Sequence, residues 1–347
     1  MWTLSSTGFA SLLAVQALYF SSAAARTTKK KPSTSKYPFN ELVVFGDQLS
    51  DNGNGSYAHG LDPNNIYGYY TWTDGPVAPT YLAELLNVPL QDYAWGGSYG
   101  GGLAGSTIDN SYTPAKDLYK GKPVPSTYDQ IFSNYTAKGK PANIENALQF
   151  MWIGQNDLKK HTNWYVKPPT LITPDAKPNV AFYNNFTTLL LQQIEHLIET
   201  GAPAVMYVNL FPIQTAPITA GFLCHNNTVC ADNWGTVIEA ANNFTQNALA
   251  NSQYADKIIY YDVYSFMIDI MNNKNQYGYT EPLYFLCDSG NQSNPVDHFK
   301  ECAVPPKWTH ARPFFWFTND QPETTMHQMI AQDMLKTIDT FFKVDSS

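Results

Sequence analysis

The chain has 347 residues but little charge: Asp, Glu, Lys and Arg make up 14% of it and sum to −8. Nucleic-acid binding needs clustered Lys and Arg to neutralise phosphates. The only basic run, Lys29–Lys31, lies in a Ser/Thr/Pro-rich stretch, Arg26–Lys36, that reads as a solvated tail. No nucleic-acid partner is expected. Cysteine is equally scarce. The four present fall into two local pairs, Cys224/Cys230 and Cys287/Cys302, without the Cys-x-x-Cys spacing of zinc or redox sites. No His/Asp pair has ligand spacing on a helix, so neither a metal nor another cofactor is implied. Long apolar runs are missing too. Phe9–Phe20 is too short to cross a bilayer core of about 30 Å, and no later stretch reaches that length.

What the N-terminus does carry suits export. The apolar run is followed by Ala23-Ala24-Ala25, the small residues of a signal-peptidase site, although no Lys or Arg precedes it. Residues 1–25 are therefore expected to be a signal peptide, 26–36 a flexible basic leader and 37–347 a single domain. Six Asn-x-Ser/Thr sequons, at Asn54, Asn134, Asn185, Asn226, Asn243 and Asn291, fit a secreted glycoprotein. In an oxidising compartment the cysteines most simply form two loop staples, Cys224–Cys230 and Cys287–Cys302, although four cysteines permit three connectivities.

At 44% hydrophobic residues the chain can bury a sizeable core. Leu42–Phe45, Leu90–Ala94, Phe150–Ile153, Ala204–Leu210 and Ile258–Val263 read as buried strands. Their apolar character is too continuous for half-exposed antiparallel ones. Between them Ala78–Leu86, Asn184–Glu199, Trp234–Asn251 and Thr324–Phe342 have helical spacing. This alternation predicts an α/β fold: a three-layer α/β/α sandwich on a mostly parallel five-stranded sheet. In such sheets ligands bind beyond the carboxyl ends of the strands, here just after Phe45, Ala94 and Ile153.

All three places carry a motif. Gly46-Asp47-Gln48-Leu49-Ser50-Asp51-Asn52-Gly53 follows the first strand, Ala94-Trp95-Gly96-Gly97-Ser98 the second and Gly154-Gln155-Asn156-Asp157 the third. In order and spacing these blocks resemble the first three of the GDSL (SGNH) hydrolases, most nearly the fungal acetylesterases of carbohydrate esterase family sixteen. The resemblance runs from about Tyr37 to Phe342 and implies the flavodoxin-like SGNH frame. It also implies a nucleophilic Ser in the first block, and an oxyanion hole from a second-block Gly and the third-block Asn. A final Asp-x-x-His-Pro-Thr block supplies the base and its orienting carboxylate.

Carried onto this chain, the resemblance keeps the oxyanion parts, Gly97 (or Gly96) and Asn156, beside Asp47 and Trp95. The nucleophile position holds Gln48, whose amide neither ionises near neutral pH nor attacks an ester at a useful rate. Aligned through Pro322 and His327, the last block puts Thr318 where the family has Asp and Gln321 where it has His. No substitute triad stands out. Ser50 is expected to point away from the site, and Ser98 has no His with an evident path to it. His327 matches the family's non-catalytic second histidine, while His59, His161, His225, His298 and His310 read as solvated or satisfied. Asp320 and Glu323 flank Gln321 but make no acyl-transfer site without an activated hydroxyl.

Gln48, Thr318 and Gln321 are expected to satisfy one another, within a cleft walled partly by Trp95, Tyr99, Trp152 and the Tyr67–Trp72 insert. Three readings follow, in this order. The first is a non-catalytic protein that binds an aromatic or carbohydrate small molecule, in one form a dirigent-like partner of a secreted oxidase that sets the handedness of phenol coupling. The second is a glycan-binding pseudo-esterase of the cell wall. The third is a carboxylic-ester hydrolase, an acetylesterase, with a relocated nucleophile.

Overall fold

The computed structural model describes residues 36–53, 71–73, 75–96, 105–115, 118–119, 122–162, 178–279, 315–317 and 320–344. The expected signal peptide, Gly97, Ser98, Tyr99, Thr318, Asn54, Asn291, Cys287 and Cys302 lie outside them. So do His59, His298 and His310.

Five strands form the sheet: β1 (Glu41–Gly46), β2 (Leu90–Asp92), β3 (Ala147–Trp152), β4 (Val205–Val208) and β5 (Ile258–Tyr261). Their spatial order is β2-β1-β3-β4-β5, and all four pairings are parallel. This is the 2-1-3-4-5 order of flavodoxin-like sheets, whose switch point lies between the carboxyl ends of the first and third strands. Burial explains the sequence pattern. Every residue of β3 and β4 is buried, because helices cover both faces. β2, at the edge, is half-buried throughout.

On one side α1 (Ala78–Leu86) packs against α6 (Thr324–Phe341), and on the other α3 (Val180–Thr200) packs against α4 (Thr228–Ala250). Tyr183 Oη ties that second pair together by donating to the Val237 carbonyl at 2.9 Å. Side-chain caps set the helix starts. Asn179 accepts from Phe182 N–H at 3.1 Å and Asn227 from Cys230 N–H at 3.2 Å, so α3 and α4 begin several residues before their apolar spacing does. A disulfide joins Cys224 to Cys230, with Cα atoms 5.5 Å apart, at the entry to α4.

Two helices were not expected from the sequence: α2 (Gln155–His161) and α5 (Val263–Asn272). Val263 was expected to end a strand. Instead Asp262 caps α5, its carboxylate accepting from Ser265 N–H at 3.1 Å. Among the described residues no helix is long and apolar enough to cross a membrane. Asn134, Asn185, Asn226 and Asn243 are all exposed.

Candidate active site

The end of β1 is held from outside the sheet. Gln130, fully buried in a π-helical segment (Asp129–Tyr135), brackets Gly46: its Oε1 accepts from Gly46 N–H and its Nε2 donates to the Gly46 carbonyl, both at 2.9 Å. The chain then turns sharply. Asp47 Oδ1 accepts from Leu49 N–H and the Asp47 carbonyl from Ser50 and Asp51 N–H, each at 3.0 Å. Ser50 is fully buried, and its hydroxyl has no partner. A Cβ at Gly46 would meet the Ser50 side chain at 3.0 Å, so Ser50 packs back onto the strand end. Asp51 Oδ2 accepts from Gly96 N–H at 2.6 Å and fastens the first block to the second.

Gln48 is 5% exposed and projects from this turn to the third block, where Asn156 Nδ2 donates to its Oε1 at 3.0 Å. The same nitrogen donates to the Ser106 carbonyl at 2.9 Å and lies 3.5 Å from Asp47 Oδ2. An amide nitrogen has two hydrogens. Gln48 and Ser106 take both, so Asn156 has none left for an incoming carbonyl. Gly105 backs the arrangement. Its φ is +98°, and a Cβ there would stand 2.5 Å from Gln48 Oε1 and 3.2 Å from Asn156 Nδ2. Any larger residue would displace the glutamine. Neither Gly105 nor Gln130 lies in a recognised block, and no signal in a single sequence marks them.

Gln48 and Gln321 do not satisfy one another as expected, and Thr318 lies outside the described residues. Gln48 pairs with Asn156, while Gln321, 4% exposed, has no partner for its Oε1. The reason is local: the buried Asn156 amide has two hydrogens to place, and the Gln48 carboxamide oxygen takes the one that the Ser106 carbonyl does not. Asp320, beside Gln321, instead accepts from Lys159 on α2 at 2.7 Å, and that lysine is 3% exposed. Trp95 is half-buried, and its backbone N–H donates to the Gly46 carbonyl at 3.2 Å. Trp72, the end of the aromatic insert, folds onto the second block. A Cβ at Gly96 would stand only 1.7 Å from its indole nitrogen, so the ring needs a glycine there.

None of the described histidines hydrogen-bonds to Gln48, Asn156 or Gln321. His161 is stacked between Tyr112 and Phe182 and lies 3.1 Å from Thr113 Oγ1. His196 Nε2 lies 3.0 Å from Thr136 Oγ1. His225 is exposed. His327 is fully buried, and its Nδ1 accepts from Ala78 N–H at 3.2 Å. Burial drives its pKa down to about 3, so it stays neutral and joins α6 to the start of α1.

Burial acts oppositely on the carboxylates. It raises Asp47 to about 7, against the lowering effects of Leu49 N–H and the Lys159 charge. It raises Asp157 to about 7 against its hydrogen bonds from Thr113 and Ile108. A carboxyl raised above its unfolded value of about 3.9 stabilises the fold in acid, and that contribution is lost as pH rises from about 4 to about 7. Asp47→Asn is therefore expected to remove part of the stability lost between pH 5 and pH 7. Melting temperatures of both proteins across that range check this; parallel curves would contradict it.

The sequence pattern of the GDSL-like Lipase/Acylhydrolase family matches residues 42–311, most of the chain. The chain belongs to that family. Its relatives include the Arabidopsis thaliana GDSL esterase/lipase At2g24560, 25% identical over 86% of this chain and 88% of that one. The thermolabile hemolysin of Vibrio parahaemolyticus is 24% identical over 86% of this chain and 63% of its own length. The acetylesterase of Hypocrea jecorina is 21% identical over 86% and 89% respectively. The likeness therefore reaches plant members at least as fully as the fungal acetylesterase.

Proposed function

We propose that this family member is a secreted glycoprotein that does not hydrolyse esters and instead holds a small molecule at the former active site. The observation that carries this is the Gln48 carboxamide. It stands at the family's nucleophile position and fills the one side-chain oxyanion donor, Asn156. A reactive centre needs an activated nucleophile and a free donor aimed at the developing oxyanion; here one residue removes both. Triad-less serine hydrolases keep only about 10³–10⁴-fold acceleration over water, whereas working enzymes exceed about 10⁶-fold. The Cys224–Cys230 disulfide and the four exposed sequons support secretion. The purified protein is expected to leave p-nitrophenyl acetate hydrolysis at the buffer rate. Turnover of several per second would end this reading and restore a relocated nucleophile, with Ser98 the first residue to replace.

A finer form of the proposal is a dirigent-like role beside a secreted oxidase. It is supported by Trp72 and Trp95, which put indole rings at the second block. A tenfold preference between two faces of a phenolic radical needs only about 1.4 kcal/mol, the scale of one hydrogen bond or stacked ring. Oxidising a naphthol monomer with laccase is expected to give a skewed enantiomer ratio when this protein is present, and Trp95→Ala is expected to abolish the skew. Equal ratios across several monomers at saturating protein would leave glycan binding in front.

A further inference from the structure

The two edges of the sheet are built differently. β2, at one edge, is only three residues long, follows Pro89 and carries Gln91 and Asp92. Its Asp92 carboxylate is engaged, accepting from Asn52 N–H at 2.9 Å and from Ala94 N–H at 2.8 Å. β5, at the other edge, is Ile258-Ile259-Tyr260-Tyr261, with no charge, no proline and no bulge. Proteins blunt exposed edges with short strands, charges, prolines and bulges, because an unprotected edge pairs with another chain. Here one edge is blunted and the other is left ready to pair.

The ladder shows which backbone groups of β5 face outward. The Tyr261 carbonyl accepts from Asn209 N–H at 3.1 Å, so Tyr261 and, two residues back, Ile259 turn their backbone groups to β4. Tyr260 therefore turns its N–H and its carbonyl away from the sheet. Ile258 turns its carbonyl the same way, while its N–H donates to the Ala255 carbonyl. Beside this edge lies a groove of about 340 Å³, lined by Ile259, Tyr260, Lys336, Thr337, Thr340 and Phe341. α6 thus stands back from the edge and leaves room for a further strand. β5, α1 and α6 contain no Asn-x-Ser/Thr, so no sugar is expected across the approach.

We infer that β5 is a dimer edge, taken by the β5 of a second copy of this chain running antiparallel, so that the two sheets join into one. Self-complementarity selects a second copy as the occupant. The strand is bracketed by Lys257, half-buried, and Asp262, exposed. Antiparallel copies set the positive end of each strand beside the negative end of the other. The outward groups centre on Tyr260, and a two-fold axis there lets each Tyr260 N–H donate to the Tyr260 carbonyl of the other copy. The same register sets the two half-buried Tyr260 rings side by side as a cross-strand aromatic pair. The inference stands apart from whether the chain cleaves esters.

The test is sedimentation equilibrium of the full chain from low micromolar to millimolar concentration. A monomer–dimer equilibrium is expected without larger species, because a two-fold interface closes on itself. Tyr260→Pro removes the outward N–H and no bond to β4, and an edge strand tolerates proline on that side. Losing two symmetry-related hydrogen bonds is expected to weaken the dimer about 100-fold. Tyr260→Phe keeps both the N–H and the ring and is expected to dimerise like the wild type. Thr340→Arg adds bulk at an exposed position of the groove and is expected to weaken the dimer at least tenfold. Near-UV circular dichroism checks that each variant folds; if Tyr260→Pro does not, Thr340→Arg decides. A chain that stays monomeric at every concentration overturns the inference. So does a dimer that folded Tyr260→Pro and Thr340→Arg leave intact, since its interface would then lie elsewhere.

Discussion

Placing serine at position 48 alone is expected to leave acetyl-ester hydrolysis within about tenfold of the wild-type background, because the members of a catalytic triad act as a unit. Gln48→Ser supplies a hydroxyl and at the same stroke releases one Asn156 hydrogen from the Gln48 oxygen. It supplies no base. None of the described histidines hydrogen-bonds to Gln48 or Asn156, and the neutral His327 is committed to Ala78. The triple change Gln48→Ser, Thr318→Asp, Gln321→His is expected to raise hydrolysis by about 10²-fold or more over the single variant, still far below the roughly 10⁶ that a tuned triad contributes. Initial rates on p-nitrophenyl acetate for the three proteins check this. A fast Gln48→Ser single variant would reveal a base already in place. Lys159, whose charge acts on Asp47, would be the first candidate, and adding Lys159→Met would test it.

Asp320→Asn is expected to lower the melting temperature by roughly 6–12 °C. Removing one partner of a buried ion pair costs about 3–5 kcal/mol, and about 2–4 °C per kcal/mol is usual for large domains. Asp320 is one-quarter exposed, which puts the loss at the lower end of that cost, near 3 kcal/mol. Lys159, at 3% exposure, stays behind with its charge. Asparagine can still accept a hydrogen bond from it but cannot neutralise it. The double change Lys159→Met, Asp320→Leu is expected to recover most of the loss, because a well-packed apolar pair often matches a buried ionic one. Differential scanning calorimetry at pH 7 measures all three proteins. If Asp320→Asn melts with the wild type, the Lys159–Asp320 pair contributes no stability to this part of the fold.

The sheet was legible because its strands are buried on both faces and so read as unbroken apolar runs. β1 contains all of its expected residues, and β3 and β4 overlap theirs, with Ile153, Ala204, Asn209 and Leu210 falling just outside the strands. The helix starts were placed late because the apolar spacing begins after the caps; Asn179 and Asn227 were visible in the sequence and set the true starts. α2 has no such signal. Gln155–His161 is polar along almost its whole length, and Gln155, Asn156, Asp157 and Lys159 are buried by what packs over the site. At the site itself the blocks picked out Gln48, Asn156 and Asp47. They could not say which partner Gln48 takes, since that depends on how the β1 turn faces the β3 turn across the switch point. Gly105, Gln130 and Lys159 lie outside the motif positions, and only the folded chain brings them in.

On this reading the chain lacks an activated nucleophile. Incubating the purified protein with an excess of a serine-directed fluorophosphonate and reading its intact mass tests that most directly. An unmodified mass is expected after prolonged exposure, beside a fungal acetylesterase control that is fully labelled. A stoichiometric adduct on any serine of this chain would contradict it, and peptide mapping would name the residue that took over.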